Sequence, residues 1–265
     1  MQNLKICSLY SGSKGNSVFI EAGGAKILID AGRSARALCQ SLCAIGVSVD
    51  EIDAIFITHD HSDHTSALQT LSHKHNIPMH LTLKSAQIFN GLFDEKLCLC
   101  LALHDKSDFK VQIKDLTVEA FPTPHDSRAS VGYKLTFTEG GEEISVAYAT
   151  DTGHVSNTML EYMLGAKYAV IESNHDLDML RDGPYPVDLK ARIASRRGHL
   201  SNCDCAALAC RLAESGAKAI MLAHLSEENN LPDIALCEIR GAVADENIKI
   251  AVASQHEPTW LVCDE

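Results

Sequence analysis

A layered α/β protein is what the sequence predicts, on three observations: short β-branched apolar runs recur, helical patterns with capping signals lie between them, and no low-complexity linker interrupts the alternation. The runs fall at residues 18–21, 26–30, 54–58, 145–149, 168–171, 219–223 and 248–252. Each has strand length and is mostly apolar, as strands buried on both faces are. Residues 35–45 place apolar side chains at three- and four-residue spacing and stop at Gly46, a helix with a glycine at its C-terminus. Ser201-Asn-Cys-Asp caps a second helix that runs through Ala206 to Glu214 and closes at Gly216. The chain, residues 1–265, is read as one domain.

Composition narrows the class. An apolar share of 46% with 22% charged residues is ordinary for a soluble globular protein. The opening MQNLKICSLY lacks a basic segment followed by a long apolar run, and no stretch has the length of a membrane span, so a cytoplasmic protein without membrane contact is expected. The ten cysteines are scattered without a repeated C-x-x-C, which fits reduced thiols. Cys203-Asp-Cys205 has too short a spacing for a zinc finger. A net charge of −12 argues against a protein that coats nucleic acid with basic surface, but leaves room for a locally positive site.

The two halves echo each other. Ile27-Leu-Ile-Asp-Ala-Gly32 is matched by Ala147-Tyr-Ala-Thr-Asp-Thr-Gly153, each a strand ending in Asp-x-Gly. A second strand follows in each half and runs into polar residues, Ile55-Phe-Ile-Thr-His59 and Val170-Ile-Glu-Ser-Asn-His175. Such an arrangement places two sets of strand ends at one edge, where α/β sheets carry their ligands.

The chemistry concentrates in Thr58-His-Asp-His-Ser-Asp-His64, where His59, His61, Asp63 and His64 pack four metal-ligand types into six residues. An apolar strand that ends this way brings ionisable groups where burial without a partner is expensive, and a metal supplies the partner. Imidazoles and carboxylates suit Zn²⁺, Mn²⁺ or Fe²⁺. A loop this short cannot wrap one tetrahedral ion with all four groups, so two metals sharing it is the easier geometry.

The His59-Asp-His-Ser-Asp-His64 segment resembles the signature of the metallo-β-lactamase superfamily. The order of the other motifs agrees: Asp30 in Leu28-Ile-Asp-Ala-Gly32, His125 in Pro124-His-Asp126, Asp151 in Ala149-Thr-Asp-Thr-Gly153, and His224 in Leu222-Ala-His-Leu-Ser226. More narrowly, Ser11-Gly-Ser-Lys-Gly-Asn-Ser17, Glu172-Ser-Asn-His-Asp176, Gly198-His-Leu-Ser-Asn202 and the segment from His224 to Asn230 are similar to the YycJ (WalJ) subgroup. The resemblance implies a four-layer αβ/βα sandwich with its site at one edge. It also implies two divalent transition metals, one on His59, His61 and His125, the other on Asp63, His64 and His224, with Asp151 bridging. Asp30 would orient ligands from behind, or serve only as a turn residue. His199 resembles a histidine that lies beside the metals in the tRNA-3′-processing and nuclease branches without holding them. There it can bind a phosphate oxygen or protonate a leaving alkoxide; the other readings are a structural histidine or an alternative ligand. Ser13, Asn16, Asn174 and Arg197 are candidates to support the site or touch substrate.

A pair of divalent ions acidifies a shared water, and with Asp63, Asp151 and a metal-bridged hydroxide the site keeps a charge of about +1. That charge complements a phosphodiester and would also polarise an ester, thioester or lactam. His61 stands where oxygen-reducing di-iron relatives carry an acidic residue, which disfavours redox chemistry. Arg192, Arg196 and Arg197 precede His199 and match phosphate oxygens, or form a solvated helix face. The 73 residues from Asp151 to His224 are too few for the extra domain of the RNA-cleaving and DNA-end-processing branch of that superfamily. The expected function is therefore a phosphodiesterase on DNA ends, 5′-to-3′ exonuclease-like by resemblance. The rivals are a thioesterase or lactonase on the same scaffold and a non-enzymatic metal-binding protein. His73, His75, His80, His104 and His256 are expected at the surface or in loops, and His154 and His175 are each candidates to line the pocket.

Overall fold

A computed structural model describes residues 4–92 and 94–263. The first sheet is built from β1 (Lys5–Tyr10), β2 (Ser17–Ala22), β3 (Ala25–Ile29), β4 (Ala54–Phe56), β5 (Met79–Thr82) and β6 (Leu101–His104). The second takes β7 (Lys110–Ile113), β8 (Leu116–Pro122), β9 (Val131–Glu139), β10 (Glu142–Ala149), β11 (Tyr168–Glu172), β12 (Ala219–Ala223) and β13 (Lys249–Val252). The last strand, β14 (Thr259–Val262), returns to the first sheet beside β1, so the orders are β14-β1-β2-β3-β4-β5-β6 and β13-β12-β11-β10-β9-β8-β7.

Alternation along the strands makes the layers. On β3, Ile27 and Ile29 face inward and meet Val118, Tyr133, Leu135 and Val170 of the second sheet. Leu28 faces outward, under α1 (Ala35–Ala44) with Leu38 and Leu42; Leu68 and Leu71 of α3 (Leu68–His75) extend the same cluster, which follows the four-residue α2 (Ser62–Thr65). After the short α4 (Glu95–Cys100), the outer face of the second sheet is covered by α5 (Asn157–Met163), α8 (Asn202–Glu214) and α9 (Pro232–Ala242); α6 (Leu177–Asp182) and α7 (Val187–Ile193) lie between α5 and α8 in the chain. Helix, sheet, sheet, helix is the four-layer sandwich expected. Every run expected as a strand is one, with no end displaced by more than three residues.

Both expected caps are present. Ser34 accepts from Ala37 N ahead of α1, and Ser201 accepts from Asp204 N ahead of α8. Gly46 and Gly216 take φ of +76° and +104° after the helix ends. All ten cysteines are free. No helix among the described residues is long and apolar enough to cross a membrane.

The strands β3 to β6 run parallel, as do β10 to β13, and β8 shares the direction of β10 because both are antiparallel to β9. The carboxyl ends within each group therefore share an edge, where the loops after β4, β8, β10, β11 and β12 carry the candidate site residues. The repeated Asp-x-Gly has a packing reason. A Cβ on Gly32 would lie 1.8 Å from the carbonyl oxygen of Asp63, and one on Gly153 would lie 2.3 Å from the carbonyl carbon of Arg196. Each glycine lets a strand end press against backbone that carries the site.

Candidate metal centre

The polar segment after β4 turns into α2 with His61 at its N-cap, so His59, His61, Asp63 and His64 project into one space. Ligand atoms of His59, His61 and His125 lie within 4.8 Å of one another, and so do those of Asp63, His64 and His224. Asp151 stands between the two sets. Its Oδ1 is 3.9 Å from His125 Nε2 and 3.6 Å from His224 Nε2, and its Oδ2 is 3.4 Å from His64 Nε2. The structure brings all seven residues expected as ligands together; His59, His64 and Asp151 form another such group, as do Asp151, Glu172, His199 and His224.

The buried imidazoles are oriented from behind. His64 Nδ1 donates to Asp30 Oδ2 at 2.7 Å, His224 Nδ1 to Glu172 Oε1 at 2.9 Å, and His125 Nδ1 to the carbonyl of Gly198 at 3.0 Å. The Thr58 hydroxyl donates to Asp30, so its lone pair accepts His59 Nδ1–H at 2.9 Å. Each bond fixes the tautomer whose Nε2 points inward. Asp30 thus bonds His64 directly and His59 through Thr58.

Electrostatics follow from this packing. Burial, then the imidazoles of His64, His125 and His61, push the His59 pKa well below the ordinary value, so it stays in the neutral form that ligates. Burial opposes charge on His64, yet Asp151, Asp30 and Asp63 outweigh it and raise that pKa well above normal. Burial likewise opposes charge on His224, but Asp151, Asp63 and Glu172 raise its pKa to about 10. Binding of a cation at these two imidazoles displaces protons.

The donors fit divalent metals on the chain's own evidence. His59 Nε2, His224 Nε2 and Asp151 Oδ2 are buried and have no hydrogen-bond partner among the described residues. Unpaired polar atoms in such a place are costly, and a cation shared among them removes the cost. Nitrogen and carboxylate oxygen donors suit Zn²⁺, Mn²⁺ and Fe²⁺ alike.

His199 lies beside the cluster with a part-exposed ring. Its Nδ1 is 2.8 Å from Glu172 Oε1, and its ring centroid is 5.1 Å from that of His224. Glu172 is the residue that reading the sequence left without a role. One oxygen accepts both His199 and His224; the other accepts the backbone N–H groups of Thr152 and Leu200 at 2.9 and 3.0 Å. A signal existed, because an acid closing the wholly apolar strand β11 must find partners. Thr58, which links Asp30 to His59, was also passed over.

Of the other candidates, Asn16 Nδ2 reaches Asp63 Oδ2 at 3.3 Å and His64 Nε2 at 3.1 Å, and Ser13 lines the cavity over the ligands. Asn174 lines it too and donates to the His224 carbonyl at 2.9 Å. Arg197 is turned away from the cavity and donates from Nε to the His125 carbonyl at 3.0 Å; Arg192 is the arginine that lines it. Only Arg192 of the three is helical, so a shared helix face does not exist. His154 and His175 are absent from the cavity wall: His154 Nδ1 bonds the Arg196 carbonyl, and buried His175 bridges to Ser201 through its backbone. His80 is not a surface residue. It is buried on β5, stacked on Phe56 at 4.7 Å, because the neighbouring aromatic rings accept a neutral imidazole, and His104 on β6 stacks on Phe109 at 3.7 Å.

Two facing mixed sheets with a histidine–aspartate cluster at their shared edge define a metallohydrolase scaffold. Residues 25–225 match the model of the Beta-lactamase superfamily domain, and the chain belongs to the metallo-β-lactamase superfamily. It is 33% identical over 94% of its length to exodeoxyribonuclease WalJ of Streptococcus pneumoniae, covering 91% of that protein. It is 32% identical to exodeoxyribonuclease YycJ of Bacillus anthracis, over 95% of this chain and 93% of that one. These matches make it YycJ-like within the superfamily. Among solved structures it resembles the metallo-beta-lactamase fold protein YhfI of Bacillus subtilis, with a TM-score of 0.73, 17% identity, and coverage of 97% and 99% of the two chains. The short form of human tRNase Z gives a TM-score of 0.64 at 17% identity, over 98% and 100% of the chains.

Proposed function

We propose that the protein is a metal-dependent phosphodiesterase that removes nucleotides from DNA ends, as a 5′-to-3′ exonuclease does. The observation that carries the reading is His199, an imidazole held at Nδ1 by Glu172 and set next to the ligand cluster, at the cavity, without being needed as a ligand. Its Nε2 has no partner among the described residues, so it is free to donate to a phosphate oxygen or a leaving alkoxide. The names of the two exodeoxyribonuclease relatives support DNA as the substrate.

His59, His61 and His125 would hold one ion and Asp63, His64 and His224 the other, with Asp151 shared. Zn²⁺, Mn²⁺ or Fe²⁺ at these positions would supply Lewis-acid activation of water and stabilise charge on substrate oxygens. Asp30, Thr58 and Glu172 hold the ligating imidazoles in the Nδ1–H tautomer that leaves Nε2 for a metal. Donation from His199 Nε2 would use its ring with both nitrogens protonated and Glu172 accepting at Nδ1. Arg192, anchored through Nε to Asp126 at 2.5 Å, brings guanidinium N–H donors to the cavity.

The test is a substrate panel on protein loaded separately with Mn²⁺ and Zn²⁺. DNA labelled at its 5′ or 3′ end, single- and double-stranded, is compared with a bis-aryl phosphate, an acyl thiol and a lactone. Stepwise release from labelled DNA is expected. Turnover of the acyl thiol or lactone with DNA untouched would replace this reading with the thioesterase or lactonase one.

A further inference from the structure

The cavity over the ligand cluster has a volume of about 270 Å³. Ligand sites commonly run about 300–1,000 Å³, so this one is of the order needed to receive part of a nucleotide. Its lining is mixed in chemistry. His61, Asp63, Asp151 and His224 with His199 make part of it ionic. One further segment of chain contributes Tyr185, Leu189, Arg192 and Ile193. Leu189, Arg192 and Ile193 are three and four residues apart on α7 and so share its cavity face.

Tyr185 is the only aromatic residue other than histidine in that wall, and it has no ring stack or hydrogen bond with any described residue. Arg192 spends only Nε, on Asp126; its two terminal nitrogens have no hydrogen-bond partner among the described residues. An unpartnered ring and a half-satisfied guanidinium thus line the same cavity as a cluster suited to phosphodiester cleavage. A ring stacks on any base, and a guanidinium held by one carboxylate presents its remaining donors to phosphate oxygens.

We infer that Tyr185 and Arg192 form the subsite for the terminal nucleotide of a DNA strand, Tyr185 stacking on its base and Arg192 binding an adjacent phosphate. The inference rests on the nuclease reading and names where the strand end is held. Leu189 and Ile193 supply the apolar surface beside the base.

The experiment uses the full metal-loaded chain and single-stranded oligonucleotides whose terminal nucleotide, at the digested end, is either normal or abasic. Tyr185→Ala should raise KM on the normal strand by about 5- to 150-fold, the range for one stacked base, with kcat changing far less. Tyr185→Phe, which keeps the ring, should stay near wild type, and equal metal content across the variants shows that each is folded. On the abasic end the wild type should fall to the level of Tyr185→Ala, and the substitution should have no further effect. Arg192→Gln should weaken both strands alike, since both keep the phosphate. An unchanged KM in Tyr185→Ala, or an equal loss on normal and abasic ends, overturns the subsite. Cleavage of a closed circular strand at the linear rate overturns it as well. A wild-type protein inert on all DNA removes the nuclease reading and this inference with it, which separates the two failures.

Discussion

Replacing Glu172 by glutamine exchanges one oxygen for an NH₂ and removes a charge, yet the structure assigns it a large effect. The side chain is fully buried, and four N–H groups converge on it: His199 and His224 on Oε1, Thr152 and Leu200 on Oε2. Burial alone would raise its pKa, but His199 and His224 outweigh burial and hold the carboxyl well below the usual range, so it is an anion in the fold. A glutamine keeps one accepting oxygen and turns the other into a donor. Whichever way it sits, two N–H groups face an NH₂. Hydrogen bonds to a charged acceptor are worth about 1.5–3 kcal/mol each, so two lost bonds come to roughly 3–6 kcal/mol, divided between stability, metal affinity and turnover. The amide sits most easily with its oxygen on the two fixed backbone N–H groups, because the imidazoles can rotate away. Metal affinity should then weaken about 10- to 100-fold through His224. The rate at saturating metal should fall about 10²–10⁴-fold through His199. Metal titrations with elemental analysis, followed by kcat on end-labelled DNA at saturating Mn²⁺, separate the two losses. A Glu172→Gln protein with wild-type kcat once refilled with metal would refute the claim that this carboxylate positions His199.

Three further perturbations test other parts of the site and core. His199→Ala should retain its metals and lose about 10²–10⁴ in turnover, with part of the rate recovered on a nitrophenyl phosphodiester whose leaving group needs no proton; metal loss would make His199 a ligand instead. Wild-type protein should take up two ions per chain at saturation and Asp151→Ala fewer, because the shared carboxylate offsets repulsion between cations; a wild-type ceiling of one ion sinks the paired arrangement. His80 is kept neutral, its pKa lowered from 6.5 to about 4 by burial and then by His104. The unfolded chain therefore takes up that proton first as pH falls, and stability of roughly 3 kcal/mol is lost between about pH 6.5 and pH 4. His80→Phe should flatten that part of the profile, read as the urea midpoint at pH 7 and pH 4.5; an unchanged difference between the two pH values would refute it.

What could be read from the sequence followed how the strands are buried. β3, β4, β11 and β12 are almost wholly buried, so they read as continuous apolar runs. β6 and β7 have exposed or half-exposed positions, with residues such as Lys110 and Gln112 alternating with Val111 and Ile113, and a search for apolar runs passes over them. The same holds for β8 and β9, where threonine, glutamate and lysine interrupt the pattern. Ligand residues were legible because four of them crowd six positions and no core explains them. Glu172 was not, since a single acid at a strand end has many ordinary uses. Its four partners come from the loops after β10 and β12 and from the approach to α8, far apart in the sequence. The burial of His80 was equally hidden, because its stacking partner Phe56 lies on a neighbouring strand.

The echo between the halves has a consequence for how the centre is assembled. The first half supplies His59, His61, Asp63 and His64, and the second supplies His125, Asp151 and His224. Each proposed ligand set takes members from both halves, so the centre forms only where the two sheets meet in register. The backbone there is not relaxed. Asp30, Asp151 and His224 close their strands at φ of 62°, 55° and 57°, a left-handed conformation that side chains with a Cβ seldom adopt. Such residues cost about 1–3 kcal/mol each and persist only where surrounding contacts fix them. Those contacts are on hand: Gly32 and Gly153 press backbone against backbone next to Asp30 and Asp151, while the hydroxyl of Ser11 accepts the N–H of His224 at 2.7 Å. Strain at three strand ends is thus offset by packing and hydrogen bonds that already hold the donors in place. A centre built this way needs little rearrangement to bind cations, and its unpaired buried atoms give the cations a reason to bind.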